Sequence, residues 1–339
     1  MEGVDEARVT GWFGDHVAQA RPPLRFTLVA GGRSNLTFRV TDADGKAWVL
    51  RRPPTGHLLA TAHDMGREYR IISALGPTPV PVPDAVGLCT DLDVNGAPFY
   101  VMSHVDGHIL RTAADAERLL DETARRTAGL DLARVLAALH SVDVDAVGLG
   151  TLARREGYIA RQLSRWYTQF QSSTAETGRR VPLVDEVHAG LAAHIPEQHG
   201  TAIVHGDYRL DNTVLRGDGT VAAVLDWELC TLGDPLADVG LLVVYWAEAG
   251  DETVALGEAP TAVPGFPTRA EMTARYGDIT GRDVADLGFY IAFAYWKLAC
   301  ILEGVYTRYL GGSGGGDRSD FGGYGDKVVA LAEAARQAL

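Results

Sequence analysis

The alternation of apolar and polar positions changes character partway along the chain. Residues 5 to 19 set Val9, Trp12, Phe13 and Val17 on one stripe at helical spacing, and Pro22-Pro23 closes that segment. Three strand-like runs follow, Phe26 to Ala30, Leu36 to Thr41 and Trp48 to Arg51. The first two are joined by Gly31-Gly32-Arg33-Ser34-Asn35, the second pair by Asp42-Ala43-Asp44-Gly45, a strong hairpin signal. Residues 64 to 75 place Met65, Tyr69, Ile72 and Leu75 on one helix face. After the Pro-rich residues 77 to 83, two more strands are expected near 85–90 and 98–105. The first 105 residues therefore predict a small five-stranded sheet with a helix.

From about Asp106 the period becomes helical. Helices are expected at Leu130 to Val142, Tyr158 to Phe170, and over 183–195, 235–249, 268–276, 286–310 and 325–338. In the second of these, Ile159, Leu163, Trp166 and Phe170 form the buried side. Leu287 to Leu310 is apolar enough to suggest a membrane span, but Lys297 and Glu303 interrupt it, so a buried helix is expected. Gly311 to Gly316 reads as a mobile loop.

Chemistry concentrates in one stretch. Val204-His205-Gly206-Asp207-Tyr208-Arg209-Leu210-Asp211-Asn212 is followed by Val224-Leu225-Asp226-Trp227, and short strands at Thr201 to Val204 and Val221 to Leu225 support both. Phosphoryl transfer from ATP needs such a set: one carboxylate facing the attacking hydroxyl, with an amide and a second carboxylate to hold Mg²⁺. Asp207 is the candidate catalytic base or orienting group, and Asn212 and Asp226 are the candidate metal ligands, all hard oxygen donors. His205 reads as structural, Asp211 as a turn group, and Asp234 and Asp238 as braces of the loop, Asp234 by capping the helix after Pro235.

The spacing resembles the catalytic and metal-binding loops of kinase-like phosphotransferases. Gly206 after His205, with Asp226-Trp227-Glu228 and Gly233-Asp234-Pro235-Leu236-Ala237-Asp238, is similar to the aminoglycoside phosphotransferase family, in the branch fused to acyl-CoA dehydrogenases. The resemblance implies an α+β, two-lobed protein-kinase-like fold: a small antiparallel-sheet lobe over residues 1–105 that clamps the nucleotide, and a mainly helical lobe over 106–339 carrying the catalytic loop and the acceptor cleft. It implies ATP and Mg²⁺ as cofactors and a small-molecule acceptor. It places Ser34 and Asn35 near the phosphates, although the glycine-rich hairpin alone reads equally as a plain turn. Met102 would lie behind the adenine, with the backbones of Ser103 and Val105 bonding its edge. The strand lysine that holds the phosphates in such enzymes is replaced here by Arg51, facing the helix acid Glu68. By strand alternation Lys46 faces away from Arg51.

The formal charge of −13 argues against nucleic-acid binding. Cys89, Cys230 and Cys300 have no paired spacing, and the acidic start lacks a signal-peptide core, so a cytoplasmic enzyme is expected. Against the acidic average, residues 154–180 hold Arg154, Arg155, Arg161, Arg165, Arg179 and Arg180, and Arg154, Tyr158, Arg161 and Arg165 share one helix face by spacing. Such a face is either a solvated surface or suited to an anionic acceptor such as a hydroxyacyl-CoA. An aminoglycoside acceptor is the second reading, and a pseudokinase-type ATP-binding module the non-enzyme alternative.

Overall fold

The structure is a computed structural model that describes residues 3–29, 35–55, 64–248, 250–251, 259–285, 287–311 and 323–339. Ser34 and most of the glycine-rich hairpin before it lie outside the described residues, as do residues 312–316 of the second glycine run.

Helix α1 (Glu6–His16) starts where the Asp5 carboxylate accepts the Arg8 N–H at 3.1 Å. Strands β1 (Arg25–Leu28), β2 (Leu36–Thr41) and β3 (Ala47–Arg52) follow, then α2 (Met65–Leu75), β4 (Ala85–Cys89), the short helix α3 (Leu92–Asn95) and β5 (Phe99–Ser103). The strands form one antiparallel sheet in the order β1-β2-β3-β5-β4. Period-2 alternation gives its faces different tasks. Phe38, Val40, Trp48, Leu50, Phe99 and Val101 pack with Val9, Trp12 and Phe13 of α1 in one core. Gly87 allows the closest approach, since a Cβ there would lie 2.8 Å from the Trp12 ring. On the opposite face Val49, Tyr100 and Met102 join Met65, Ile71, Ile72 and Leu75 of α2 in a second core that runs on into the helical part. Arg51 lies on this face, as alternation requires. Lys46 instead lies over the Trp48 ring.

The rest of the chain is mainly helical: α4 (Ala113–Leu119), α5 (Glu122–His140), α6 (Tyr158–Thr177), α7 (Pro182–Ala193), α8 (Leu236–Tyr245), α9 (Arg269–Thr280), α10 (Gly288–Leu310) and α11 (Tyr324–Ala338). Two small antiparallel ladders are set among them. β6 (Ala202–Val204) pairs with β9 (Thr231–Gly233), and β7 (Thr213–Leu215) pairs with β8 (Val221–Val224). This antiparallel sheet with its helical partner is the expected α+β kinase-like arrangement.

Several boundaries differ from the sequence reading for physical reasons. α5 begins eight residues before Leu130, at Glu122, capped by Asp121. Its first two turns bury Ala124, Arg125 and Ala128, small or charged residues that leave no apolar period. α4 was not expected, although Thr112 and Asp115 form a reciprocal capping box in front of it. β7 and β9 are too short to show a period.

α10 is long and apolar enough to cross a membrane, yet it packs against α6, α8 and α11 with Tyr290, Phe293, Trp296 and Cys300 buried. Two of its three charges, Lys297 and Glu303, point inward. Glu303 is fully buried and accepts from the Arg179 guanidinium at 2.5 Å, while Arg179 also donates to the Gly325 carbonyl at 2.5 Å. Arg179 is thus a structural tether and is lost to the predicted basic surface. Removing it strands a carboxylate that burial already disfavours. Arg179→Ala is expected to cost about 3 kcal/mol in urea unfolding. Adding Glu303→Gln to that variant should restore part of the loss, because the stranded group is then neutral.

Candidate active site

The β7–β8 register brings the two halves of the motif together. Thr213 pairs with Val224, and the Leu225 N–H donates to the Asn212 carbonyl at 2.8 Å, extending the ladder by one residue. Asn212 therefore ends one strand beside the residue that precedes Asp226 on the other. Asp226 has φ of 63°, the only non-glycine residue with positive φ among those described. That conformation is uncommon for a side-chain-bearing residue and belongs where a fold over-determines its backbone. Here the Leu225 carbonyl is bonded by the His205 ring at 2.9 Å, and the Trp227 indole donates to the Val224 carbonyl at 3.1 Å.

The catalytic-loop segment is held from behind. Asp238, in the first turn of α8, accepts the N–H groups of His205 at 2.6 Å and Gly206 at 2.9 Å and touches the His140 ring at 3.2 Å. Burial raises its pKa, but His140, the field of His205 and the Gly206 N–H outweigh burial and hold it below the ordinary carboxylate range. Asp234, two residues before the helical start, accepts the Leu236 N–H at 3.1 Å and also binds the Tyr290 hydroxyl at 2.8 Å. Gly206 has φ of 84°, and a Cβ on it would lie 3.0 Å from Leu229 backbone.

Asp207 follows. Its N–H donates to His205 Nδ1 at 3.2 Å, and its carboxylate accepts from Asn212 Nδ2 at 2.8 Å. The Asn212 amide oxygen is left as the atom that could hold a metal. Arg209 Nε stands 3.5 Å from the Asp207 carboxylate, its other nitrogen 3.2 Å from Asp211, and its guanidinium 4.7 Å above the Tyr245 ring. Burial and the charge of the nearby Asp207 raise the Tyr245 pKa above its ordinary value. His205 itself is fully buried.

Across from this loop the sheet presents Arg51. Its guanidinium reaches Asp226 at 2.6 Å, Glu68 at 3.4 Å and Glu228 at 3.8 Å. Burial opposes the charge, but Tyr100, Glu68 and Asp226 raise the Arg51 pKa above its ordinary value, so it remains a cation. Tyr100 donates to Glu68 at 3.0 Å, and the Asn35 amide nitrogen donates to both Glu68 at 3.1 Å and Glu228 at 3.0 Å. Asn35, Arg51, Glu68 and Asp226 are thus one network. Met102 pairs with Val49 on the same sheet face. The Ser103 N–H is taken by the Asp84 carbonyl at 2.9 Å, and Val105 follows at the end of the sheet.

The predicted basic face on α6 is smaller than expected. Tyr158 is buried against Gly233 rather than exposed, and Arg154 precedes the helix. Arg155 pairs with Asp145 at 2.5 Å, and Arg161 folds onto the carbonyls of Glu156 and Arg154. Arg165 remains, and with Arg67, Glu68, Gln162, Glu228 and Thr231 it lines a recess of about 240 Å³ between α2, α6 and the chain after Asp226.

Sequence reasoning missed Arg209, Tyr245, Glu228 and the structural use of His140. Arg209 and Glu228 lie inside the motif strings. Tyr245 and His140 end apolar helices and are brought in by tertiary packing alone.

Comparison with known proteins agrees with this geometry. The profile of the phosphotransferase enzyme family (APH) matches residues 25–271. Acyl-CoA dehydrogenase family member 10 of Mus musculus is 36% identical over 311 residues, covering 91% of this chain and 28% of that protein. Probable acyl-CoA dehydrogenase IBR3 of Arabidopsis thaliana is 37% identical over 310 residues, covering 85% of this chain and 37% of its own length. The chain thus spans roughly a third of these relatives. A solved structure of a putative aminoglycoside phosphotransferase from Ralstonia eutropha superposes with a TM-score of 0.80 at 32% identity, over 98% of each chain. The ADP-bound aminoglycoside phosphotransferase APH(2'')-Ib shares the fold, with a TM-score of 0.62 at 15% identity over 99% of this chain and all of that one.

The brace has a pH signature. Burial lowers the His140 pKa against the pull of Asp238. A base whose folded pKa is depressed contributes stability that is complete above its unfolded value, near 6.5, and is lost as pH falls from there towards the folded value. Unfolding free energy should therefore drop between pH 7 and pH 5 by up to about 1.4 kcal/mol per unit from this group. Denaturation curves of His140→Gln should have a shallower slope over that interval.

Proposed function

The chain belongs to the phosphotransferase enzyme family, and from that premise we propose that it transfers the γ-phosphoryl group of ATP, with Mg²⁺, to a hydroxyl of a small molecule. The observation that carries this reading is the single ladder contact, Leu225 to Asn212, that sets Asp207, Asn212 and Asp226 opposite the Arg51–Glu68 pair. Asp207 faces the acceptor. Its carboxylate, held by Asn212 and flanked by Arg209, orients the hydroxyl and receives its proton late, since transfer passes through a loose transition state. Asn212 and Asp226 would hold the metal, and the fit is chemical: both offer oxygen, and the Asp226 carboxylate is already bound by a cation, Arg51. When bound, Mg²⁺ supplies charge neutralisation at the phosphates.

Arg51 would take the role of the usual lysine, bridging Glu68 and the phosphates. Ser34, Asn35 and Glu68 would frame the phosphate side, and Met102, Ser103 and Val105 the adenine side, with the lobes dividing near residues 105 and 106. The acceptor we favour is a hydroxyacyl-CoA-like metabolite. The relatives carry this domain in proteins named acyl-CoA dehydrogenases, and Arg67 and Arg165 offer an anion two cationic contacts in a recess that Asp64, Glu68 and Glu228 also line.

Mg-ATP consumption assayed with hydroxyacyl-CoAs and with aminoglycosides tests the reading. Turnover with the first pool, reduced at least about 100-fold in Asp207→Asn, is the expected result. Turnover with aminoglycosides alone would overturn the acceptor, and activity that survives Asp207→Asn would overturn the catalytic assignment. Separately, Arg51→Ala should raise the nucleotide KM about tenfold or more, through lost charge-assisted bonds. An unchanged KM and kcat would remove Arg51 from the nucleotide site.

A further inference from the structure

Lys297 is the other inward charge of α10 beside Glu303, and it is almost entirely buried. A buried ammonium is costly unless paired, yet no carboxylate lies within ion-pair distance of it among the described residues. Its Nζ donates to the Gly206 carbonyl at 2.8 Å and lies 5.8 Å from the centre of the Trp166 ring, which also carries Arg165 at 5.0 Å. Burial lowers its pKa, and the fields of Asp207 and Asp238 oppose that shift.

The peptide it touches joins Gly206 to Asp207. Lys297 holds the carbonyl of that peptide, and His205 Nδ1 holds its N–H at 3.2 Å. Asp238 fixes the Gly206 N–H one peptide earlier. Gly206, with positive φ and no side chain, is the pivot about which this plane would otherwise rotate. Any rotation of the plane swings the Asp207 side chain away from Asn212.

We propose that Lys297 is a positioning residue for phosphoryl transfer, fixing the Gly206–Asp207 peptide so that the Asp207 carboxylate meets the acceptor hydroxyl in one orientation. This rests on the phosphotransferase reading for its kinetic consequence only; the geometric claim stands independently. Burying an unpaired cation works against stability, so its retention is accounted for by alignment rather than by folding.

The test uses Lys297→Met, which fills the same space without charge or donor, and Lys297→Gln, which keeps a neutral donor on a side chain one bond shorter. Turnover is followed with Mg-ATP and hydroxyacyl-CoAs, and with water as acceptor in intrinsic ATP hydrolysis. Lys297→Met should lose about 10- to 100-fold in kcat, as expected for a misplaced reacting group, with nucleotide KM within about twofold. Its melting temperature should not fall, and hydrogen exchange at the Asp207 amide should accelerate. Lys297→Gln should recover most of kcat and of the protection. A kcat for Lys297→Met within about twofold of the parent, or a loss that only tracks the unfolded fraction, overturns the proposal. Exchange at the Asp207 amide that stays at the parental rate in Lys297→Met would also overturn it, since the peptide would then be fixed without the lysine. Absence of turnover in the parent with every acceptor would refute the phosphotransferase reading, and the exchange measurement would still decide the role of Lys297.

Discussion

The centre of this protein depends on a carboxylate that water does not reach. Asp238 is buried inside the helical part, and leaving such a group unpaired would cost several kcal/mol. It is kept there by the two backbone N–H groups it accepts from His205 and Gly206, by His140, and by its place in the first turn of α8, where the helix dipole favours negative charge. Each bond ties a different element to the loop: α8 through Asp238 itself, α5 through His140, and β6 through His205. Once these are made, the backbone is fixed as far as the Gly206 N–H, and the Gly206–Asp207 peptide that follows is held by Lys297 and the His205 ring. The ladder from Asn212 to Leu225 then carries the same constraint across to Asp226.

On the other side of the site, an arginine does what a lysine could not do alone. A single ammonium can approach one carboxylate closely, whereas the planar guanidinium of Arg51 spreads its donors between Asp226 and Glu68 while lying near Glu228. Asn35 completes the network by donating to both Glu68 and Glu228. The first residue described after the glycine-rich hairpin is thereby coupled to the carboxylate motif nearly two hundred residues later.

What could be read from the chain divides by the range of the interaction. The sheet, α1 and α2 were legible because alternating Phe38, Val40, Trp48 and Leu50, and the α2 stripe, each report a local face against a single core. The trio Asp207, Asn212 and Asp226 was legible because a short hairpin converts sequence spacing directly into proximity. The first turns of α5 were not, since they bury Ala124, Arg125 and Ala128 instead of an apolar stripe. The basic face of α6 was misread for a related reason. Spacing gives the direction of Tyr158 and Arg161 on the helix, but not the Gly233 surface or the backbone carbonyls that absorb them. In α10, Lys297 and Glu303 counted only as breaks in an apolar run, because their partners, Gly206 and Arg179, are more than ninety residues away.

A chain with formal charge −13 nevertheless gathers cations where its function is proposed to lie. Arg51, Arg209 and Lys297 are interleaved with Glu68, Asp207, Asp211, Asp226, Glu228 and Asp238, so carboxylates still outnumber the cations that face them. On the proposed reading this decides how a highly charged nucleotide enters. Asp226 would hold the metal and Arg51 the phosphates, so each would exchange its present partner for another of the same sign. Exchange of this kind avoids burying net charge, whose desolvation would outweigh any single contact formed. A lysine–glutamate pair held away from the metal carboxylate would lack that intermediate. The direct bond from Arg51 to Asp226 therefore makes the ligand-free site compact without making it inaccessible.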